Sequence, residues 1–147
     1  MEIVGRFSDI LLPLNVSWAV FLALLAASSP WRRDVASLYQ ENLKDLEQII
    51  LPPSPDSDPD HFDVYQNYEI EAKDRDKLKD YLAKKGIGTL IQWGGKGVHQ
   101  WEALGFNKCL PKVEKFFNSC IMLPMNIFVS DEDIHFISDE IRRFYLD

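Results

Sequence analysis

Gly94-Gly95-Lys96-Gly97 is a tight glycine cluster with Trp93 on one side and His99 on the other. Glycines beside a lysine suggest a loop whose amides cradle a phosphate. The spacing does not match the phosphate loop GxxxxGK[ST], and no hydroxyl follows Lys96. The cluster therefore reads as a flexible turn between a strand and a short helix. Trp93 and His99 beside that turn could line a ligand pocket. The plainer alternative is that Trp93 fills a core edge and His99 packs or caps. His61, His99 and His135 fall in separate elements, so no zinc spacing arises. Cys109 and Cys120 form no CxxC motif and no disulfide framework, and two thiols fit a reducing cytoplasm. Cys120 falls on the apolar face of a helix, where a thiol is inert. No GxSxG elbow exists. Residue types alone assign no catalytic and no metal-binding residue.

The chain that must position these residues has 147 of them, 46% hydrophobic and 27% charged. That suits one ordinary domain, or one domain with an appendage, and it can bury a core. Sixteen basic residues face 23 acidic ones, for a net charge of −7. Such a surface repels phosphate backbones and anionic lipid, which excludes nucleic-acid binding as the main task.

Ile10 to Ala27 carries no charge. A secretory signal lacks its basic start, because Glu2 and Asp9 outweigh Arg6. A membrane span is weakened by Pro13, Asn15 and Ser17. We favour a helix buried in a larger assembly, with protein on every face. Ser29-Pro30 then signals a helix start. Trp31, Val35, Leu38, Leu43, Leu46 and Ile50 recur at helical steps, with Asn42 and Tyr39 beside Leu43, predicting an amphipathic helix over 30–48. Its outer face carries Arg32, Arg33, Asp34, Glu41, Lys44 and Glu47. Residues 1–50 are thus a helical arm, whose segment 10–48 is expected to bind a second copy or a larger partner.

Residues 51–60, LPPSPDSDPD, form a linker, since each proline removes an amide donor. The part from 61 to 147 is expected to fold without the arm. His61 to Ala72 alternates, with Phe62, Val64, Gln66, Tyr68, Ile70 and Ala72 on one face: a half-buried strand. Asp74 caps a helix running to about Lys85, with Leu78, Tyr81 and Leu82 inward and Gly86 closing it. Ile87 to Trp93 reads as a second strand. Leu110-Pro111 opens a helix with Val113, Phe116, Phe117 and Cys120 inward. Ile121 to Leu123 makes a short strand. Ser130 to Asp133 resembles a capping box before a last helix bearing Ile134, Ile137, Ile141, Phe144 and Tyr145. The expected fold is α+β: a small sheet covered by helices.

These segments carry a resemblance. HFDVYQNYEIEAKDRDKLKDYLAKKGIGTLIQW, then GVHQ, LGF, LP with LPMN, and SDEDIHFISDEIRRFY, in that order, resemble the C-terminal end of the DegT/StrS-type sugar aminotransferases. RRDVASLYQENL before a proline-rich stretch resembles that family's helix leading into its small domain. The resemblance runs from about Arg32 to Asp147. It implies the small domain of a fold type I (aspartate-aminotransferase) enzyme that uses pyridoxal phosphate. In the family a lysine in an S-x-x-K-like segment of the large domain holds that cofactor. Here no serine is followed three residues later by lysine. The implied function is the C-terminal part of a cytoplasmic, dimeric nucleotide-sugar aminotransferase of deoxysugar biosynthesis, inactive alone and binding no cofactor by itself. The alternative is an accessory module docking on an intact relative. Where many members have His-Tyr-Pro and then a second His, this chain has Gln92-Trp93-Gly94 and then His99. The resemblance makes Gln92, Trp93 and His99 the candidate substrate-proximal residues.

Overall fold

The computed structural model describes residues 30–106 and 108–146. The apolar segment 10–27, with the partner role assigned to it, lies outside the described residues.

Helix α1 covers 30–43. Val35, Ala36, Tyr39 and Leu43 recur at three- and four-residue steps and are buried together. The helix does not continue to 48. The chain turns after Leu43, Leu46 N–H donates to Leu43 O at 3.1 Å, and Ile49–Ile50 becomes strand β1. β1 pairs antiparallel with β2 (Tyr68–Ala72), placing Ile49 opposite Ala72. The other side of β2 pairs antiparallel with β3 (Cys120–Leu123), so the sheet order is β1-β2-β3. The remaining helices are α2 (Arg75–Lys84), α3 (Pro111–Ser119) and α4 (Asp131–Leu146). The architecture is α+β, as the sequence indicates.

The proline-rich stretch does not bound the core. Residues on both of its sides form one buried cluster: Val35, Tyr39, Leu43 and Ile49 pack with Ile70, Leu78, Ile121, Ile134 and Ile141. The apolar face of 30–48 is therefore covered by the chain's own sheet and helices, not left for a partner. Arg32 and Arg33, read as outward charges, reach across to the segment beyond the prolines. Arg32 donates to Tyr65 O (3.2 Å) and Gln66 O (2.9 Å), and Arg33 donates to Asp63 O (2.9 Å) and pairs with Asp56.

Those contacts explain a second departure. The alternation from His61 breaks at Tyr65, whose φ of 46° turns the chain, so Tyr65 is buried and Phe62 is 69% exposed. Only Tyr68–Ala72 is strand. Ile87 to Trp93 is not one either: Leu90 makes a single bridge to Met122, and the chain then coils into the turn Gln92–Gly95. Cys120 begins β3 rather than ending α3.

The helix signals are largely realised. Leu78 and Leu82 of α2 are fully buried, each worth ~1.5–3 kcal/mol. Asp74 sits before α2 in a left-handed conformation without capping it; its carboxylate instead takes Lys77 Nζ at 2.8 Å. Ser130 and Asp133 do form the box: Ser130 N–H donates to Asp133 Oδ2 (2.9 Å), and Asp133 N–H donates to Ser130 Oγ (3.2 Å).

α4 also buries a charge. Glu140, 2% exposed, accepts from Tyr81 Oη at 2.7 Å and from Lys85 Nζ at 2.9 Å, and it pairs with Arg143. The Tyr81 hydroxyl and the Lys85 ammonium hold its carboxyl down to about 2, against an ordinary 4.5. Its stabilising contribution is complete above the ordinary value and disappears as pH falls toward about 2. Thermal midpoints followed down this window should fall further for the wild type than for Glu140→Gln, which starts lower at neutral pH. Parallel curves would show that Glu140 does not couple α2 to α4.

Candidate functional site

Alternation along β2 decides what lies under the glycine turn. Tyr68, Ile70 and Ala72 face the core, which leaves Glu69 and Glu71 on the opposite face. That face carries α3, and Gln92 at the start of the turn reaches Glu69 on it. Ser119 at the end of α3 donates its hydroxyl to Glu71 Oε2 at 2.9 Å. Arg75, at the start of α2, donates to Phe117 O (3.3 Å) and Cys120 O (3.0 Å), which ties α2 to the α3–β3 junction.

Trp93, Gly94 and Gly95 take φ values of 53°, 65° and 74° in succession. A left-handed tryptophan persists only where its surroundings over-determine it. At the start of the turn, Gln92 supplies part of that constraint. With its amide oriented to satisfy its neighbours, Gln92 donates to Glu69 Oε2 at 3.2 Å and accepts from Trp93 Nε1 at 3.1 Å. Trp93 itself is 70% exposed.

At the far end, the His99 side chain is only 7% exposed. Its Nε2 lies 3.2 Å from Glu114 Oε1, which also accepts from Leu110 N–H at 3.1 Å. The Leu110 amide, then His99, hold the Glu114 carboxyl below the usual carboxylate range. His99 thus fastens the segment to the first turn of α3. Gly97 is needed for that approach, because a Cβ there would stand 2.7 Å from His99 Cε1 and 3.0 Å from Val113 Cγ1.

Between the turn and α3 lies an open cleft of about 590 Å³, walled by Trp93, Val98, Phe106, Leu110, Val113 and Phe117, with Lys96 and Lys108 on its lining. An apolar trough with a few cations suits a flat, partly apolar, anionic ligand. The structure thus brings Gln92, Trp93 and His99 into one segment, but it separates their surroundings. Only Trp93 presents a large open surface. Glu69 and Glu114 were missed from sequence. Glu69 follows from the β2 alternation once the loop is known to cover that face, whereas nothing local marks Glu114.

Elsewhere the chemistry is quiet. Burial pushes the Cys120 thiol up to about 11, and nearby Glu69 adds to the shift, which leaves it a poor nucleophile. His61 sits by Asp58 and His135 by Asn42, so each histidine has its own neighbour. Among the described residues no group of three or more His, Cys, Asp or Glu side chains stands close enough to hold a metal ion. Among them, too, no helix is long and apolar enough to cross a membrane.

Comparison with known proteins covers most of this chain. A dTDP-3-amino-3,6-dideoxy-alpha-D-galactopyranose transaminase of Aneurinibacillus thermoaerophilus is 24% identical, over 86% of this chain and 34% of its own length. DesV of S. venezuelae, solved with a ketimine intermediate, superposes with a TM-score of 0.78 at 25% identity, over 88% of this chain and 35% of its own. The aminotransferase TlmJ of Streptoalloteichus hindustanus gives a TM-score of 0.73 at 25% identity, over 85% and 34%. The chain spans about a third of the length of these relatives. The family model for DegT/DnrJ/EryC1/StrS aminotransferases matches residues 19–142, most of the chain, and with the glycine turn, the sheet and the helices in place the chain belongs to that family.

Proposed function

We propose that this chain supplies the small-domain part of an aminotransferase acting on a nucleotide-linked sugar, and that it does not catalyse amino transfer by itself. The length relation supports this reading: 86–88% of the chain matches, against about a third of each relative. The cleft beside Trp93 is its ligand-facing feature, apolar enough for a base or sugar face and flanked by Lys96 and Lys108 for phosphate.

The family is pyridoxal-phosphate-dependent, and that cofactor supplies an electron sink once a lysine amine holds it. The lysines here do not fit that role. All lie among the described residues, and all but half-buried Lys79 are exposed. Lys77 and Lys85 are held protonated by Asp74 and Glu140, which raise them above the ordinary lysine value. A Schiff-base lysine needs the reverse, a desolvated amine. In this reading the residues present receive and shape a ligand, and the Schiff-base lysine comes from elsewhere.

Such a part needs a partner, either a large domain or a second copy. Because the apolar face of α1 is used internally, what the described residues offer for docking is the exposed apolar side chains of the loops, among them Trp101, Leu104, Ile127 and Phe128. We place the chain in the cytoplasm, where nucleotide sugars are made.

The test is borohydride reduction of the full chain with pyridoxal phosphate, followed by peptide mapping and an amino-transfer assay from glutamate. Scattered labelling without turnover is the expected result. A stoichiometric label on one lysine together with turnover would overturn the proposal.

A further inference from the structure

The three residues at the glycine turn are not equivalent. Trp93 is an exposed ring on a strained backbone, while Gln92 is half-buried beneath it. With the Gln92 amide turned so that its nitrogen faces Glu69, two hydrogen bonds in series join that ring to the middle strand. Glu69 sits in β2 opposite Met122, its Oε2 accepts from the Gln92 amide at 3.2 Å, and the Gln92 carbonyl accepts from Trp93 Nε1 at 3.1 Å. A strand paired on both sides is the most rigid anchor available in this fold. An indole held by its edge nitrogen has its plane fixed, and its exposure leaves a face open at the mouth of the cleft.

We infer that Gln92 and Glu69 are positioning residues that hold the Trp93 indole as a stacking surface for a planar ligand ring, and that neither touches the ligand. The inference rests on the nucleotide reading of the cleft for the identity of that ring, and on the orientation of the Gln92 amide toward Glu69 for the relay. Stacking on an aromatic face tolerates different bases but demands a fixed plane. Series hydrogen bonds polarise one another, and charged Glu69 at the far end strengthens the Gln92 link. The arrangement also accounts for a glutamine directly before the tryptophan: leucine would fill the space but offer no acceptor.

The full chain labelled with nitrogen-15 gives one indole N–H signal per tryptophan, and Trp93→Phe identifies the one that matters. In Gln92→Leu and Glu69→Ala, exchange of the Trp93 indole proton with water should accelerate by roughly threefold to tenfold. Glu69→Gln, which keeps an acceptor oxygen, should restore slow exchange. The other indole signals and the thermal midpoint of Gln92→Leu should stay in place. With thymidine diphosphate as probe, Trp93→Ala should lose about tenfold in affinity and Gln92→Leu less than that. Unchanged indole exchange in Gln92→Leu overturns the relay. A greater affinity loss in Gln92→Leu than in Trp93→Ala also overturns it, because Gln92 would then touch the ligand. Normal exchange effects with no thymidine diphosphate binding by the wild type would sink the nucleotide reading of the cleft and leave the relay standing.

Discussion

A chain that begins at Asp60 is expected to lose cooperative folding altogether. It lacks α1 and β1, and with them Val35, Tyr39, Leu43, Leu46 and Ile49 of the buried cluster. Each such side chain is worth ~1.5–3 kcal/mol on burial, so their sum approaches the 5–15 kcal/mol that holds a typical domain together. β2 would also lose its pairing at Ala72 and Glu71. Far-ultraviolet circular dichroism on heating should show a broad, non-cooperative change, and the product should aggregate. A sharp transition near that of the full chain would mean that 61–146 carries a sufficient core of its own.

Tyr39→Ala should be the most damaging single substitution, costing about 3–5 kcal/mol. Tyr39 is fully buried, its ring stacks on Tyr68 with centroids 4.8 Å apart, and its hydroxyl donates to Pro124 O at 2.8 Å. It therefore ties α1 to the centre of the sheet and to the end of β3 at once. Tyr39→Phe keeps the ring and should cost only about 1 kcal/mol. Urea denaturation of the two variants separates packing from hydrogen bonding. If phenylalanine costs as much as alanine, the Pro124 contact, and not the stacked pair, is what anchors the helix.

Both results turn on something the sequence conceals. Helical spacing made α1 visible, and the apolar steps of α2 and α4 were equally legible, because a 3.6-residue period is a local property. The capping box at Ser130 was legible for the same reason. The proline-rich stretch was misread because prolines show where an element stops, not whether the core continues beyond. Arg32 and Arg33 spoke for a solvated face, yet their partners are carbonyls of residues 63, 65 and 66, invisible from the helix side. The false strand before Tyr68 came from an alternation that a single left-handed residue, Tyr65, interrupts.

The site shows the same division. The glycine cluster and its flanking Trp93 and His99 stood out by residue type. What holds them, Glu69 from β2 and Glu114 from α3, comes from elements distant in sequence. Glu69 looked like one more acidic residue on the wet side of a strand, and only the path of the loop over that face gives it a task.

The three-stranded sheet also bears on how this chain meets other chains. Its outer margins are short: β1 has two residues, and β3 is flanked only by the single bridge from Leu90 to Met122 before the chain coils away. An incoming strand would find few free rungs on either margin, so fibril-like stacking or strand donation has little purchase here. Among the described residues, association with the partner proposed above would then be written in side chains, which wear away by point substitution without disturbing the backbone ladder. A surface of that kind lets the domain keep its shape while the identity of what it docks to drifts.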